Sequence, residues 1–212
     1  MTELFPKTHT VDIAGEKIAL PIVKIHDTLA ISLLMVIDMG VKFGERIGAA
    51  MAKRFAAKQP DIVVGSATLG IPVAIELSRH LGLDQYVILQ KSPKIHLGDA
   101  LVEQVKSVTS AGSQRLLLDR QAIKLLKGKR VVIVDDVVAT GSSMAAAVRL
   151  VRQAGGDIVG IGVILTEGHD WRPVLGDDAK LVTGLGHIPQ FKIANGIATP
   201  DPATEADAVP AH

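Results

Sequence analysis

Short apolar runs that alternate with helix-like segments constrain the fold of this chain most strongly. Five segments have the pattern of buried strands, and they lie at residues 61–71, 86–91, 131–134, 157–166 and 180–193. Residues 72–81 and 144–154 show the apolar spacing of helices. Strands apolar on both faces that alternate with helices are typical of a covered parallel sheet. The sequence therefore predicts an α/β fold, a mostly parallel central sheet flanked by helices, which binds ligands at the carboxyl ends of its strands.

Three other segments complete the predicted organisation. Apolar residues recur at helical spacing from residue 27 to 58, which predicts two helices or one bent helix, because Gly40 and Gly44 lie inside the run. Residues 92–115 have little periodicity and form a long excursion, which in a compact domain is usually functional or disordered. Residues 199–212 have the composition of a disordered tail, so residues 1–198 are predicted to form one domain.

Composition excludes several classes of function. The 23 basic and 22 acidic residues give a net charge of +1, so no global field attracts nucleic acid or a membrane surface. The absence of cysteine excludes disulfides, thiolate metal sites and a cysteine nucleophile. The most apolar stretch, residues 29–37, is too short to span a bilayer, and the first residues lack the apolar core of a signal peptide. We therefore expect a cytoplasmic protein with no nucleic-acid or membrane partner.

The segment VVIVDDVVATGSS at residues 131–143 carries the clearest chemical signal. Its four β-branched residues predict a buried strand that ends at Asp135, and a helix is predicted from residue 144, so Ala139–Ser143 form a turn and a helix N-terminus. Backbone N–H groups at such a terminus lack partners and lie at the positive end of the helix dipole, which favours a phosphate group. Asp135 and Asp136 are acceptors suited to sugar hydroxyls or to water around Mg²⁺.

Ordinary helix capping, with Thr140 or Ser142 as the N-cap, is the alternative explanation of this segment. The chain contains no GxxxxGK[ST] sequence, which excludes a Walker-type phosphate loop. The full string resembles the ribose-5-phosphate and pyrophosphate motif of the type I phosphoribosyltransferases. The resemblance extends from about residue 27 to 190 and is nearest to the adenine and xanthine branch. It implies the type I phosphoribosyltransferase fold, with a small hood from residues 1–28 and 180–198.

Three further pieces match this family in order along the chain. VVGSATLGIPVA at residues 63–74 is similar to the family's pyrophosphate loop, and Lys91 stands where the family has a basic residue against the pyrophosphate. Ser92–Asp119 resembles the mobile loop, or lid, that closes over the reaction centre. Taken singly, the pieces have ordinary alternatives: a tight turn without a ligand, a solvated lysine and a disordered loop. Their order and spacing around the specific motif favour the family.

The resemblance implies transfer of ribose 5-phosphate from phosphoribosyl pyrophosphate (PRPP) to a purine or purine-like base, with release of pyrophosphate and Mg²⁺ as the cofactor. Asp135, Asp136 and Lys91 would be catalytic, and Mg²⁺ would be held through PRPP, with Asp135 or Asp136 binding it through water. The 5-phosphate would be bound by Ala139, Thr140, Gly141, Ser142 and Ser143. The pyrophosphate would be bound by Ser66, Ala67, Thr68, Leu69, Lys91 and Lys94.

The sequence does not identify the acceptor base, because neither branch's base-reading residues are intact. Adenine-type lids carry a Glu whose place falls here on Ser110, and Ser107–Ser110 is nearer to the xanthine-type lid. Glu167 stands where xanthine- and guanine-type enzymes have a lysine, and a carboxylate, which accepts hydrogen bonds, suits an exocyclic amine or a ring N–H. Trp171 is the candidate for stacking on the base, with a half-buried packing residue as an equal alternative. Further candidates for the base pocket are Lys24 and Asp27.

Three classes of function remain open, of which one is a subunit whose PRPP site is only a structural or allosteric pocket. The first is a purine phosphoribosyltransferase. The resemblance to the family and the apolar face of residues 29–37 both predict that it is a homodimer. The second is a PRPP-binding regulator of the same fold without catalysis. Regulators of this type carry an N-terminal winged helix, whereas only about 26 residues precede the first predicted helix here and none of them resembles a basic recognition helix. We therefore expect no direct DNA binding.

Overall fold

The computed structural model describes residues 7–92, 100–105 and 114–207, and it confirms the predicted fold class. Among the described residues, no helix has the length and apolar character needed to cross a membrane. The helices are α1 (Val41–Phe55), α2 (Gly70–Leu81), α3 (Arg120–Leu126), α4 (Ser142–Gln153) and α5 (Trp171–Leu175). The strands are β1 (Thr8–Ile13), β2 (Glu16–His26), β3 (Leu29–Ser32), β4 (Ile62–Ser66), β5 (Tyr86–Leu89), β6 (Leu101–Val105), β7 (Gln114–Leu118), β8 (Arg130–Val138), β9 (Asp157–Glu167), β10 (Val182–Ile188), β11 (Gln190–Ala194) and β12 (Ile197–Pro200).

The central sheet has five parallel strands in the order β10-β9-β8-β4-β5. β8 lies in the middle, and its residues Val131–Val134 are fully buried. β-branched side chains suit such a strand because both of its faces are covered by apolar neighbours. Since β8 lies between β4 and β9, the carboxyl ends of these three strands meet at one edge of the sheet.

Helices cover both faces of this sheet. α1 and α2 pack on one face together with β1 and β2, while α3, α4 and α5 pack on the other face. α1 buries Phe43, Ile47, Met51 and Phe55, which recur every four residues along one side of the helix. Each face of the sheet therefore has its own apolar cluster, and the residues of β8 contribute alternately to the two clusters.

A second, antiparallel sheet forms the hood, with the strand order β1-β2-β3-β11-β12. It is built from the N-terminal and C-terminal segments and reaches Ser32 and Pro200, whereas β10 belongs to the central sheet. The helix predicted from residue 27 is wrong as far as residue 40, because β3 lies there and α1 begins only at Val41. An apolar run as short as β3 fits either period, and its pairing with β2 and β11 decides for the strand.

Regular structure continues beyond β11, where the sequence predicts a disordered tail. β12 includes the first two residues of that segment, and a 3-10 turn follows at Pro202–Thr204. Asp201 caps this turn and pairs with Lys192 of β11 at 2.8 Å. The tail prediction is therefore wrong for residues 199–207, because capping and contacts with β11 stabilise a segment of polar composition.

β6 and β7 form an antiparallel hairpin within the predicted excursion. Glu103 on β6 pairs with Arg149 on α4 at 2.8 Å and accepts a hydrogen bond from Gln153 at 2.5 Å. This end of the predicted lid is thus attached to α4. Lys94 and Ser107–Ser110 lie outside the described residues.

Two glycines of β9 make room for Phe55 of α1. A Cβ atom on Gly160 would lie 2.6 Å from Phe55 Cε1, and one on Gly162 would lie 2.8 Å from Phe55 Cε2. Phe55 is fully buried, so its ring has little space into which it could move. The two glycines therefore allow α1 to approach the sheet closely.

We expect Gly162→Ala to lower the free energy of unfolding by about 2 kcal/mol, because the added methyl group overlaps the Phe55 ring. Gly44→Ala on α1 is the control: its Cβ would lie at an ordinary 3.5 Å from Glu76 Cγ, and the change should stabilise the helix by about 0.5–1 kcal/mol. Urea denaturation measures both changes. Phe55→Leu should recover part of the loss in Gly162→Ala, and a double variant less stable than either single variant would contradict this packing.

Candidate functional site

Four segments that the sequence singles out meet at the carboxyl edge of the central sheet. Along this edge the order is Lys91 after β5, Ser66–Leu69 after β4, Asp135–Ser143 at the end of β8, and Glu167 at the end of β9. Neighbouring strands are about 4.8 Å apart, so the four segments span about 15 Å. The acidic pair lies in the middle, with the predicted pyrophosphate loop on one side and Glu167 on the other.

The turn after β8 has the geometry of an anion site. Gly141, in the left-handed region at φ 78°, directly precedes α4. No acidic residue lies in the first turn of α4, and the Ser142 N–H has only a long contact of 3.5 Å with Thr140 Oγ1, so the positive end of the helix dipole remains open to an anion. The turn borders a cavity of about 170 Å³, which exceeds several times the 30 Å³ or so that a water molecule occupies. The cavity is lined by Asp135, Val137, Val138, Ala139, Thr140, Gly141, Ser143 and Met144.

Trp171 packs against this turn and does not line an open pocket. Its side chain is only 6% exposed and packs in the apolar cluster of α4, and its Nε1–H donates to the Gly168 carbonyl at 3.1 Å. The Arg172 guanidinium lies over the indole, 5.4 Å from the ring centroid. A Cβ atom on Gly141 would lie 2.9 Å from Trp171 Cα, so the turn rests against the tryptophan backbone. The predicted stacking on a base is therefore wrong for this structure, and the packing alternative describes Trp171.

Asp135 and Asp136 form a crowded pair of carboxyl groups. Asp135 Oδ1 accepts a hydrogen bond from the Asp136 N–H at 3.1 Å, and it would lie 2.8 Å from a Cβ atom on Gly70. Burial, together with the charge of Asp136, raises the pKa of Asp135 to about 8. Burial also raises the pKa of Asp136. The pair therefore holds two negative charges poorly unless a cation or hydrogen-bond donors come close.

The pair fits a Mg²⁺ ion bound through water. Mg²⁺ prefers oxygen ligands, keeps several of its waters, and is commonly held by one or two carboxylates together with substrate phosphates. The positive charge of the ion would lower both pKa values, as the charge of Lys91 already does in part. Within the described ranges, no group of three or more His, Asp or Glu side chains could hold a metal ion by itself. The residues therefore suit an ion that arrives with a phosphate compound.

The predicted pyrophosphate loop is the turn between β4 and α2. Ser66 ends β4 and is buried, and the Ala67–Thr68 peptide bond is cis. The Ala67 N–H donates to the Leu89 carbonyl of β5 at 2.9 Å, which fixes the loop between the ends of β5 and β8. α2 starts at Gly70, directly against Asp135. The backbone of this loop and the acidic pair therefore border the same space.

Glu167 lies on the other side of β8 from this loop. Its side chain is 5% exposed, and its Oε1 accepts a hydrogen bond from Gln190 Nε2 at 3.4 Å. Burial raises the pKa of Glu167, the Gln190 hydrogen bond opposes this shift, and the charge of Asp170 adds to it. A buried carboxyl group of this kind is stabilised by further hydrogen-bond donors, and an amine or ring N–H of a ligand would supply them.

Lys24 and Asp27 pair with each other at 3.1 Å at the β2–β3 turn, and the Asp27 side chain is 97% exposed. In the hood, Lys24 is aligned with Ala30 of β3, and Ala30 is aligned with Phe191 of β11. Two strand spacings, about 10 Å, thus separate Lys24 from the strand that carries Gln190. A part for the two residues in the base pocket stays a prediction.

The sequence analysis missed two residues next to Glu167. Gln190 begins β11 and contacts Glu167 directly, and Thr204 accepts a hydrogen bond from the Gln190 N–H at 2.9 Å. Neither residue belongs to a recognisable motif, and Thr204 lies in the segment whose composition predicts disorder. Pairing of β11 with β3 and folding of the last residues against β11 bring them to the site.

The fold and the site together define a protein of the type I phosphoribosyltransferase architecture. It has a parallel sheet, whose carboxyl edge carries the acidic pair and the turn Ala139–Ser143, and an antiparallel hood. The family described as the phosphoribosyl transferase domain matches residues 37–192. The chain belongs to this family.

Relatives with different substrates are similar to this chain. It is 30% identical to xanthine phosphoribosyltransferase 1 of Clostridium perfringens over 157 residues, which cover 73% of this chain and 82% of the relative. It is 35% identical to adenine phosphoribosyltransferase of Gluconobacter oxydans over 117 residues, which cover 55% and 62%. Among solved structures, adenine phosphoribosyltransferase of Rhodothermus marinus has the same fold, with a TM-score of 0.61, 23% identity and coverage of 84% of this chain and 93% of that chain.

The raised pKa of Asp135 predicts how the stability of the free protein depends on pH. A carboxyl group with a raised folded-state pKa binds its proton more tightly when folded, so its contribution is present below pH 4 and is lost as the pH rises towards 8. Asp135→Asn removes this loss. We expect its free energy of unfolding to fall by about 3 kcal/mol less than that of the wild type between pH 5.5 and pH 8.5.

Urea denaturation at the two pH values, without Mg²⁺ or phosphate, measures this difference. Asp84→Asn is the matched control, since Asp84 is exposed in the loop after α2. Equal pH dependence of unfolding in Asp135→Asn and the wild type would contradict the raised pKa of Asp135.

Proposed function

We propose that this protein transfers ribose 5-phosphate from PRPP to a nitrogen of a purine or purine-like base and releases pyrophosphate. The order of the segments along the sheet edge carries the proposal: the pyrophosphate loop, the acidic pair with the phosphate turn, and Glu167 follow one another on β4, β8 and β9. This is the order of the parts of the reacting complex, in which the leaving pyrophosphate and the entering base lie on opposite sides of the ribose.

Each segment has one task in this reaction. The amides and hydroxyls of Ala139–Ser143 bind the 5-phosphate at the start of α4. Asp135 and Asp136 accept hydrogen bonds from the ribose hydroxyls, and their negative charge stabilises the positive charge that develops on the sugar. The backbone of Ser66–Leu69 and the Lys91 ammonium stabilise the departing pyrophosphate. The ribose is thereby fixed over β8 while the bond to the leaving group breaks and the bond to the base forms.

A Mg²⁺ ion, when bound, neutralises part of the pyrophosphate charge. Asp135 or Asp136 would hold it through water, in keeping with the raised pKa of both groups. Lys94 is assigned to the pyrophosphate by resemblance to the family, and it lies outside the described residues. The lid formed from Ser92–Asp119 would exclude water from the cation-like sugar, and its described part is attached to α4 through Glu103.

The acceptor base is the less defined partner. Glu167 and Gln190 favour a base that presents an exocyclic amine or a ring N–H, because a carboxylate repels a carbonyl oxygen and accepts from an N–H donor. The relatives named for adenine and for xanthine differ in this respect, so family membership does not decide between amino and oxo bases. A regulator that binds PRPP without catalysis is the second candidate, and no observation favours it over the enzyme.

The proposal predicts pyrophosphate release when the protein is mixed with PRPP, Mg²⁺ and a base from a panel of amino- and oxopurines. We expect faster turnover with a 6-aminopurine. Glu167→Lys should move the preference towards 6-oxopurines, by at least tenfold in the ratio of kcat/KM values, because a lysine donates to the 6-oxygen.

Glu45→Lys provides the charge-matched control, since Glu45 is exposed on α1. The regulator, and not the enzyme, would be supported if no base gave release while PRPP still raised the thermal midpoint. An unchanged preference in Glu167→Lys would place the base away from Glu167.

We also propose that the protein forms a homodimer through an apolar surface beside α2. Three apolar side chains in or next to residues 29–37 support this proposal because they are exposed: Met35, Ile37 (57%) and Val41 (85%). Ile37 and Val41 line a groove of about 240 Å³ together with Pro72 and Glu76 of α2. A second copy seated there would lie next to the pyrophosphate loop, which precedes α2.

Light scattering tests this assembly. We expect the wild type to have twice the mass of the chain and the double variant Ile37→Asp with Val41→Asp to have the mass of one chain, because two buried charges oppose association. Val174→Asp is the control, since Val174 is exposed on α5. A dimer that survives the double change would place the interface elsewhere.

A further inference from the structure

The segment Asp201–Asp207 lies beyond the region that the family model matches, which ends at residue 192. It packs against the residues that end β9 and β10 and begin β11. His187 Nε2 and the Thr204 carbonyl are 2.8 Å apart, and His169 Nε2 and the Glu205 carbonyl are 2.9 Å apart. Arg172 forms an ion pair with Asp207, and Lys192 forms one with Asp201 at 2.8 Å. We call Asp201–Asp207 the C-terminal strap.

Thr204 connects the strap to the sheet edge. Its Oγ1 accepts a hydrogen bond from the Gln190 N–H at 2.9 Å and donates one to the Asp201 carbonyl at 2.8 Å. Its side chain also lies against Gly168, since a Cβ atom on this glycine would be 3.5 Å from Thr204 Cβ. Gly168 directly follows Glu167, so Thr204 contacts the backbone on both sides of the Glu167–Gln190 pair.

Both backbone polar groups of Gln190 are bound by the strap. Its N–H donates to Thr204 Oγ1, and its carbonyl accepts a hydrogen bond from the Asp201 N–H at 2.8 Å. The same residue uses its side chain to donate to Glu167 Oε1. The position of the Gln190 amide, and through it the direction of the Glu167 carboxylate, therefore depends on two hydrogen bonds from the strap.

We propose that the C-terminal strap positions the base-reading pair, with Thr204 holding Gln190 and Gln190 holding Glu167 for a purine that presents an exocyclic amine. Thr204 is a positioning residue, since it contacts Gln190 and not the base. This inference rests on the proposed function, because it requires Glu167 to face the acceptor. It adds a residue outside the family match to the determinants of substrate choice.

The geometry separates two kinds of effect. PRPP is bound by the turns after β4 and β8, which have no hydrogen bond to the strap among the described residues. Loss of the Thr204 hydroxyl should therefore change the handling of the base and leave the handling of PRPP unaltered. A merely structural role for Thr204 would weaken both alike, because unfolding affects every part of the site.

Thr204→Val and Thr204→Ser test the proposal, with Thr199→Val as the matched control on the exposed side of β12. Thr204→Val removes both hydrogen bonds of the hydroxyl, and loss of the one from the Gln190 N–H predicts a KM for a 6-aminopurine that is about fivefold to tenfold higher. It should reduce the preference over the 6-oxopurine by a similar factor, with an unchanged KM for PRPP. Thr204→Ser keeps the hydroxyl and should behave as the wild type, as should Thr199→Val.

Gln190→Met supplies the second measurement, because it removes the side-chain donor but keeps the backbone bonds to the strap; it should reproduce the change in base KM even where Thr204→Val is poorly folded. An equal rise in both KM values, or an unchanged preference in Gln190→Met and Thr204→Val, would overturn the proposal. A wild type that releases no pyrophosphate with any base would instead refute the proposed function, and the positioning role with it. Turnover of the wild type therefore distinguishes the two failures.

Discussion

Two neighbouring carboxyl groups, half-buried near the carboxyl end of the central strand, are the constraint on which the rest of this site depends. Asp135 and Asp136 are placed there by a strand that is apolar on both faces, and burial raises the pKa of both. Folding alone gives them few partners: Lys91, whose charge opposes the shifts, and the neighbouring backbone N–H groups of Asp136 and Val137. The free protein therefore has a site whose electrostatic cost is reduced when hydroxyl donors and a cation enter it.

The order of the strands makes the two sides of the acidic pair chemically different. β8 is flanked by β4 on one side and by β9 on the other. A ligand that binds over the acidic pair therefore has different neighbours on its two sides. The β4 side offers backbone amides and the positive end of α2. The β9 side offers a buried carboxyl group and an amide side chain. Negative charge in a ligand is thus favoured on the β4 side of the acidic pair, and hydrogen-bond donors are favoured on the β9 side.

The local structure of Val131–Ser143 is predictable from sequence because the strand, the acidic pair, the glycine and the helix start are contiguous in it. The prediction fails where a position is decided by residues distant in the chain. Trp171 follows a strand at a site edge, as a stacking residue would, but contact with Gly141 and packing on α4 bury it. β3 and the C-terminal strap likewise acquire their structure from β11, and no local pattern in either segment indicates that partner.

Some parts of the site are contiguous in the sequence, and others are assembled from distant segments. This difference bears on how members of one family can be named for different bases. The turns Ser66–Leu69 and Ala139–Ser143 are each continuous in the chain and join a strand of the central sheet to a helix. The surroundings of Glu167 are instead assembled from β9, β11 and the strap, which are distant in the chain and meet through the contacts of Gln190 and Thr204. Among the described residues, no hydrogen bond joins the strap to the turn Ala139–Ser143, so a change in the strap acts on Gln190 and Glu167 more directly than on this turn. Under the proposed function, PRPP and the base would be bound by different parts of the chain, and members of one family could then differ in the base while they bind the same donor.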